Sequence, residues 1–317
     1  MTRIGTDILL ARKYLLEGQL VAIPTETVYG LAANGFNPDA VLKIYEAKNR
    51  PSFNPLILHI ANIQKAKELV ESFPQKAELL AKAFWPGPLT LVLKKKQAVP
   101  DIVSAGLDSV GIRVPQHPLT LELLESLDFP LAAPSANPSG YVSPTAPHHV
   151  MQQLGDKVAY ILDGGNCAVG IESTIIKVSG DEVSVLRLGG IELEKIEAVL
   201  GKKLQAKTSG KIEAPGMIET HYAPGKKLLL GNIKENLVKY SGKKTGILSF
   251  REKFDRANPV TQFVLSPSGD LHEAARNLFS YLRKLDESDA EVILAEPVPD
   301  EGLGKAINDR LKRASAE

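Results

Sequence analysis

The 317 residues carry 38 Lys and Arg against 37 Asp and Glu, a net charge of +1, so no global field holds the chain on nucleic acid or on an anionic membrane. At 44% hydrophobic and 24% charged it is ordinary globular material, long enough for two domains. One cysteine, Cys167, excludes an internal disulfide, a cysteine-based zinc site and dithiol chemistry, and fits a structural thiol in a reducing cytoplasm. The first residues contain no apolar signal core and no apolar run reaches the roughly 18 residues of a membrane span, which predicts a soluble, unexported protein.

In chain order, Thr6 or Asp7 can cap a helix whose apolar residues Ile8, Leu9, Leu15 and Leu16 recur near helical spacing, with Gly18 ending it. The apolar run Leu20 to Ile23 predicts a buried strand that delivers the hydroxyl-rich loop Pro24-Thr25-Glu26-Thr27-Val28-Tyr29-Gly30-Leu31. Asn37-Pro38 opens a second helix that stops near Lys48, and Arg50-Pro51 forces Arg50 out of the helical region, leaving Lys48 and Arg50 on a turn. Leu56 to Ile60 is the next strand. Asn62 to Ser72 and Pro74 to Phe84 read as amphipathic helices, closed by Trp85-Pro86-Gly87-Pro88. Strands follow at Leu89 to Leu93 and Val110 to Val114, then a helix over Leu119 to Leu127. Leu131-Ala132-Ala133 leads into the turn-rich Pro134-Ser135-Ala136-Asn137-Pro138.

Thr145 can cap a helix through Leu154, and Tyr160 to Asp163 is a strand. Ser173 to Val178 and Val183 to Leu188 form a hairpin about Ser179-Gly180-Asp181, followed by a helix from Glu192 to Leu200. We divide the chain into a first domain over 1–205, a linker over 206–227 rich in Lys, Gly, Pro, Thr and Ser, and a second domain over 228–317. In the last, four strands alternate with three helices, which predicts a small parallel α/β sheet.

Neither a P-loop nor a Gly-x-Gly-x-x-Gly fingerprint is available, so a bound nucleotide has to be held by scattered side chains and loop amides. Lys48, Arg50, Asn54, Ser135, Asn137, Ser143 and Arg187 have suitable chemistry. Each also has a plain structural reading. Cations after a helix are commonly solvated, a Ser-x-Asn turn can satisfy its own backbone, and a lone histidine such as His59 in an apolar strand is more often a core residue. Adjacent His148 and His149 diverge on a helix and cannot readily share one ion, and no Gly-x-Ser-x-Gly elbow is present.

Six blocks in order resemble the YrdC-like threonylcarbamoyl-AMP synthases: Pro24 to Leu31, Lys48-Asn49-Arg50-Pro51, Asn54-Pro55-Leu56-Ile57, Trp85 to Thr90, Ala133 to Asn137, and Glu172-Ser173-Thr174-Ile175. Ala214-Pro215-Gly216-Met217 and His221-Tyr222-Ala223-Pro224 resemble the linker of the long, two-domain form. The resemblance implies a YrdC-like twisted open mixed α/β sheet with a concave basic cavity, plus a smaller Rossmann-like α/β domain. It implies synthesis of L-threonylcarbamoyl-AMP and pyrophosphate from L-threonine, bicarbonate and ATP with its Mg²⁺. A downstream transferase then modifies tRNA.

By the same resemblance, Thr27, His59, Arg113, Ala133 and Ser173 match threonine-binding positions, and Arg50, Asn54, Ser109, Ser135, Ser143 and Arg187 match ATP positions. Tyr222 matches a linker residue over the nucleotide, and Lys48 and Arg50 with Ser135 and Asn137 form the Lys-x-Arg and Ser-x-Asn signature, Asn137 counted with the ATP set. Lys48 and Arg50 are the expected catalytic pair, with no protein-held metal. Two positions depart from the family pattern. Ile218-Glu219-Thr220 stands where a basic and aromatic triplet is usual, and Leu188-Gly189-Gly190 follows Arg187 where Pro-Gly is usual. The alternative from another class is an RNA-binding module of the same fold, and a second rival is a related carbamoyl-adenylate former using carbamoyl phosphate.

Overall fold

The computed structural model describes residues 2–204, 213–216, 221–254 and 259–316, so the departing linker triplet Ile218-Glu219-Thr220 and Met217 lie outside the described residues. The chain forms two compact units, one of Met1–Ser139, Pro144–Ala168 and Glu172–Ile218, the other of Gly140–Ser143, Val169–Ile171 and Glu219–Glu317. Two short stretches, Gly140–Ser143 and Val169–Ile171, therefore belong to the second unit.

The first unit is built on a 10-stranded mixed sheet of order β1-β8-β2-β3-β7-β4-β6-β5-β9-β10. Its central strands are β2 (Val21–Ile23), β3 (Gly30–Asn34), β4 (Ile57–His59), β5 (Leu89–Lys94), β6 (Ser109–Arg113) and β7 (Leu131–Ala132). The outer ones are β1 (Arg3–Gly5), β8 (Tyr160–Leu162), β9 (Thr174–Ser179) and β10 (Glu182–Arg187). β4 and β6 run parallel with His59 opposite Arg113, while β7 lies antiparallel to both β3 and β4. The central strands are buried on both faces, which is why they read as apolar runs rather than alternating ones.

Capping decides the helix starts. Asp7 accepts from the Leu10 amide to open α1 (Ile8–Leu16), and Asn37 accepts from the Asp39 and Ala40 amides ahead of Pro38 to open α2 (Pro38–Lys48). Helices α3 (Ile63–Leu69), α4 (Gln75–Phe84), α6 (Pro118–Glu125), α7 (Pro147–Leu154) and α8 (Leu193–Leu200) follow the predicted order, with one extra turn, α5 (Asp101–Ser104). Three expectations change. Thr145 does not cap α7, whose N-cap is Ala146 with Pro147 at the first position, because a fixed proline φ already preorganises the turn. Gly30 and Leu31 are not loop but the start of β3, paired with Ile23 and Ala22. Lys48 ends α2 itself, and the turn begins at Asn49, in the left-handed region with φ 50°.

The second unit has a four-stranded, all-parallel sheet of order β11-β14-β12-β13: β11 (Lys227–Leu230), β12 (Thr245–Ser249), β13 (Thr261–Val264) and β14 (Val292–Ala295). Helices α9 (Ile233–Lys239), α10 (Leu271–Glu287) and α11 (Gly304–Ala314) alternate with the strands, as predicted. Helix α10 buries Ala275, Leu278, Phe279 and Leu282 on one stripe, the spacing a sheet-packing helix needs. From the same helix, Arg283 donates to the Val142 and Ser143 carbonyls and lies 5.1 Å from the Tyr141 ring, whose hydroxyl donates to Asp286. No described helix is long and apolar enough to cross a membrane.

Candidate active site

The loop between β2 and β3 is folded by its own hydroxyls. Thr25 Oγ1 donates to the Val28 carbonyl at 2.7 Å, lies 2.8 Å from Thr27 Oγ1 and accepts from the Thr27 and Val28 amides. The loop is then stitched to the Ser-x-Asn turn: the Leu31 amide donates to the Pro134 carbonyl and the Ala136 amide to the Tyr29 carbonyl. Thr27 is fully buried.

Lys48, 1% exposed, points into that turn and donates its ammonium to the carbonyls of Ser135 and Asn137. Burial, with the Arg50 charge nearby, holds its pKa well below the usual lysine range. The signature pair is thus one unit joined through backbone oxygens, and Lys48 is no solvated surface cation. Arg50, 8% exposed, makes a fork with the next motif: Nε donates to the Asn54 carbonyl, and Nη2 to Asn54 Oδ1 at 2.7 Å and the Pro55 carbonyl at 2.8 Å. Asn54 Nδ2 is buried without a hydrogen-bond partner.

His59 and Arg113 face each other across parallel strands. Desolvation, then the Arg113 charge, lowers the His59 pKa to about 3, so the ring is neutral, and its Nδ1 is buried without a partner. A histidine held neutral by the fold but free to charge when unfolded binds fewer protons in the native state. Stability is therefore complete above about pH 6.5 and falls as pH drops toward 3. A His59→Gln variant is expected to flatten that part of the stability curve, measured as urea midpoints between pH 6.5 and pH 3; an unchanged slope contradicts the burial account.

Ala133 donates its amide to the Ile57 carbonyl at 3.0 Å. Ser109, at the start of β6, is buried. Ser173 Oγ lies 2.8 Å from Thr90 Oγ1, and Arg187 closes the same corner, donating from Nη2 to the Ser173 carbonyl and hydroxyl and from Nη1 to the Pro215 carbonyl. Ser143 and Tyr222 fall in the second unit. There, Tyr222, with φ 66°, stacks on Phe279 at 5.5 Å and lies 5.2 Å from the Arg310 guanidinium.

The glycine after Leu188 has a steric reason. A Cβ on Gly189 would overlap backbone atoms of Glu172 and Ser173, so only glycine allows this approach. Gly189→Ala is expected to cost about 1–3 kcal/mol, seen as a lower urea midpoint, and to displace Ser173 and with it activity. Wild-type stability and turnover in that variant would refute the packing argument.

Two neighbours were not among the expected site residues. Thr90 is found by its place in the Trp85–Thr90 block and by its bond to Ser173. Glu26 sits in the opening motif, and its Oε1 lies 2.7 Å from Arg113 Nη2. Nothing in a linear motif separates an inward-facing glutamate from a solvated one. Cys167 is buried, which pushes its thiol far up and leaves it protonated, as a structural cysteine should be.

A family model described as Telomere recombination (Sua5_yciO_yrdC) matches residues 13–189, and one described as Threonylcarbamoyl-AMP synthase, C-terminal domain, matches residues 191–316. The chain belongs to the threonylcarbamoyl-AMP synthase family. It is 44% identical to the threonylcarbamoyl-AMP synthase of Pyrococcus abyssi, covering 97% of this chain and 94% of that protein. It is 43% identical to that of Bacillus subtilis, over 98% and 93% of the two chains. The crystal structure of P. abyssi Sua5 complexed with L-threonine superposes with a TM-score of 0.91 at 41% identity, covering 99% of this chain and 98% of that one. Within the family frame, the six blocks read from the sequence fall on the β2–β3 loop, the end of α2, β4, the start of β5, the turn after β7 and the start of β9.

Proposed function

We propose that this chain is an L-threonylcarbamoyladenylate synthase, a nucleotidyltransferase that joins L-threonine, bicarbonate and ATP into threonylcarbamoyl-AMP and releases pyrophosphate. The observation that supports this best is the burial of Lys48, Arg50, His59 and Arg113, none more than 8% exposed, beside polar atoms of Asn54, His59 and Arg113 that lack hydrogen-bond partners. Buried polar groups are ordinarily satisfied, so a ligand that completes them is the economical reading.

Arg113 takes the threonine carboxylate through its planar guanidinium, the neutral His59 ring offers a nitrogen to the substrate, and Thr27, Ala133 and Ser173 frame it. Arg50, Asn54, Ser109, Ser135, Asn137 and Arg187 receive the nucleotide. Threonine's neutral amine attacks the bicarbonate carbon, and the N–C bond of the carbamate forms as a C–O bond breaks and water leaves. A carbamate oxygen then attacks the α-phosphorus in line with departing pyrophosphate. Lys48 and Arg50 offset the charge that develops on the leaving group, Lys48 also fixing the Ser135–Asn137 turn. Mg²⁺ enters as part of the ATP substrate.

We assign catalysis to residues 1–205, the linker to 206–227 and a separate α/β domain to 228–317, place the reaction in the cytoplasm, and pass the product to a transferase that modifies tRNA. The test is pyrophosphate release from ATP with and without L-threonine and bicarbonate. Release that depends on both is expected; release indifferent to threonine defeats the assignment.

A further inference from the structure

Arg113 and Glu26 are in charge contact without being hydrogen-bonded. Arg113 Nη2 is 2.7 Å from Glu26 Oε1, yet neither atom has a hydrogen-bond partner, so the N–H groups are not aimed along the line between them. Neither side chain is loose. Arg113 Nε donates to the Gly87 carbonyl at 3.3 Å, and Glu26 Oε2 accepts from the Gln116 amide at 2.9 Å. Both are almost wholly enclosed, at 5% and 6% side-chain exposure. The fold therefore holds a cationic donor atom and an anionic acceptor atom side by side as an ion pair, each without a hydrogen bond of its own.

A ligand that answers both has to carry an acceptor and a donor on neighbouring atoms with opposite charges. The carboxylate and ammonium of an α-amino acid are such a pair, both attached to one carbon. A plain carboxylate would satisfy Arg113 but leave Glu26 unpartnered and repelled.

We propose that Glu26 recognises the α-ammonium group of L-threonine while Arg113 takes its carboxylate. Glu26 is thereby the residue that selects an amino acid over its deaminated counterpart. The proposal rests on the threonine reading of Arg113 given above and adds the second half of the recognition. After the nitrogen loses one proton, a remaining N–H still donates to Glu26, which keeps the amine oriented for carbamate formation.

The test compares L-threonine with (R)-3-hydroxybutanoate, which keeps the carboxylate and hydroxyl but lacks nitrogen, by calorimetric binding to the full chain and to Glu26→Gln. Wild type is expected to favour threonine by about 10–100-fold, the range of one charge-assisted hydrogen bond in a buried site. Glu26→Gln is expected to bring the two ligands within about threefold of each other, weakening threonine and relieving the repulsion met by the ligand without nitrogen. Retained discrimination in Glu26→Gln overturns the proposal. Equal loss of both ligands also overturns it, since Glu26 would then act only by holding Arg113. A wild-type chain that does not bind threonine at all defeats the functional reading itself, a different result from either. If Glu26→Gln does not fold, the same comparison in Glu26→Asp decides, because its carboxylate is one methylene short of the ammonium: discrimination reduced at least about tenfold supports the proposal and unchanged discrimination refutes it.

Discussion

Lys48→Met is expected to lower threonine-dependent pyrophosphate release by about 10²-fold or more, in the range seen when one preorganised charge-stabilising donor is removed. The substitution keeps an unbranched apolar stem of four heavy atoms and removes the ammonium. In the folded protein that ammonium donates to the carbonyls of Ser135 and Asn137 while being 1% exposed. Both carbonyls lose a charged donor, at about 1–3 kcal/mol for each buried group that loses its partner, offset in part by the desolvation that Met no longer suffers. The two effects are separated by measuring turnover well below the variant's unfolding midpoint, with Ser135→Ala as a companion. That substitution removes the hydroxyl but keeps the carbonyl that Lys48 bonds, so Ser135→Ala should retain wild-type stability. Undiminished turnover in Lys48→Met would remove the ammonium from the mechanism.

Arg113→Leu is expected to be the more damaging change to the fold, because it strands Glu26, 5% exposed, as an uncompensated charge among buried neighbours. Breaking a buried pair from one side costs about 3–5 kcal/mol, whereas replacing both members with apolar residues is often neutral. The double variant Arg113→Leu with Glu26→Leu should recover most of the lost stability in urea titration and none of the threonine-dependent activity. A double variant no more stable than Arg113→Leu would mean that the pair is not coupled. Arg113→Lys keeps a cation beside Glu26 but not the planar fork, so it should fold and raise KM for threonine by about 10²-fold, with kcat affected less.

The order of elements was legible in the sequence where local chemistry is strong. Asn37-Pro38 predicts the start of α2, Thr6 or Asp7 predicts the start of α1, where Asp7 is the cap, and Ser179-Gly180-Asp181 sits at the turn between β9 and β10, with Gly180 at φ 56°. Capping and turn residues act within a few positions of themselves, so their signal survives in one dimension. Thr145 failed as a cap because Pro147 offers a competing start one residue further on. Gly30 and Leu31 were hidden because a glycine next to a hydroxyl-rich loop carries no strand signature; only pairing with Ile23 and Ala22 makes them β3.

The residue types and order of the motifs were sufficient to point to a family, and side-chain chemistry alone singled out Lys48, Arg50 and Arg187 for a nucleotide held without a P-loop. Arg113 entered only through what the family resemblance implies. What each cation bonds was decided by tertiary structure alone. Lys48 meets carbonyls nearly 90 positions away, His59 and Arg113 become neighbours through parallel pairing of β4 with β6, and Arg187 wraps the Ser173 carbonyl across a hairpin. Burial then sets the chemistry, holding His59 neutral and placing Glu26 against Arg113. A charge's partner and its desolvation depend on what the fold brings within a few ångströms, and no local pattern encodes that distance.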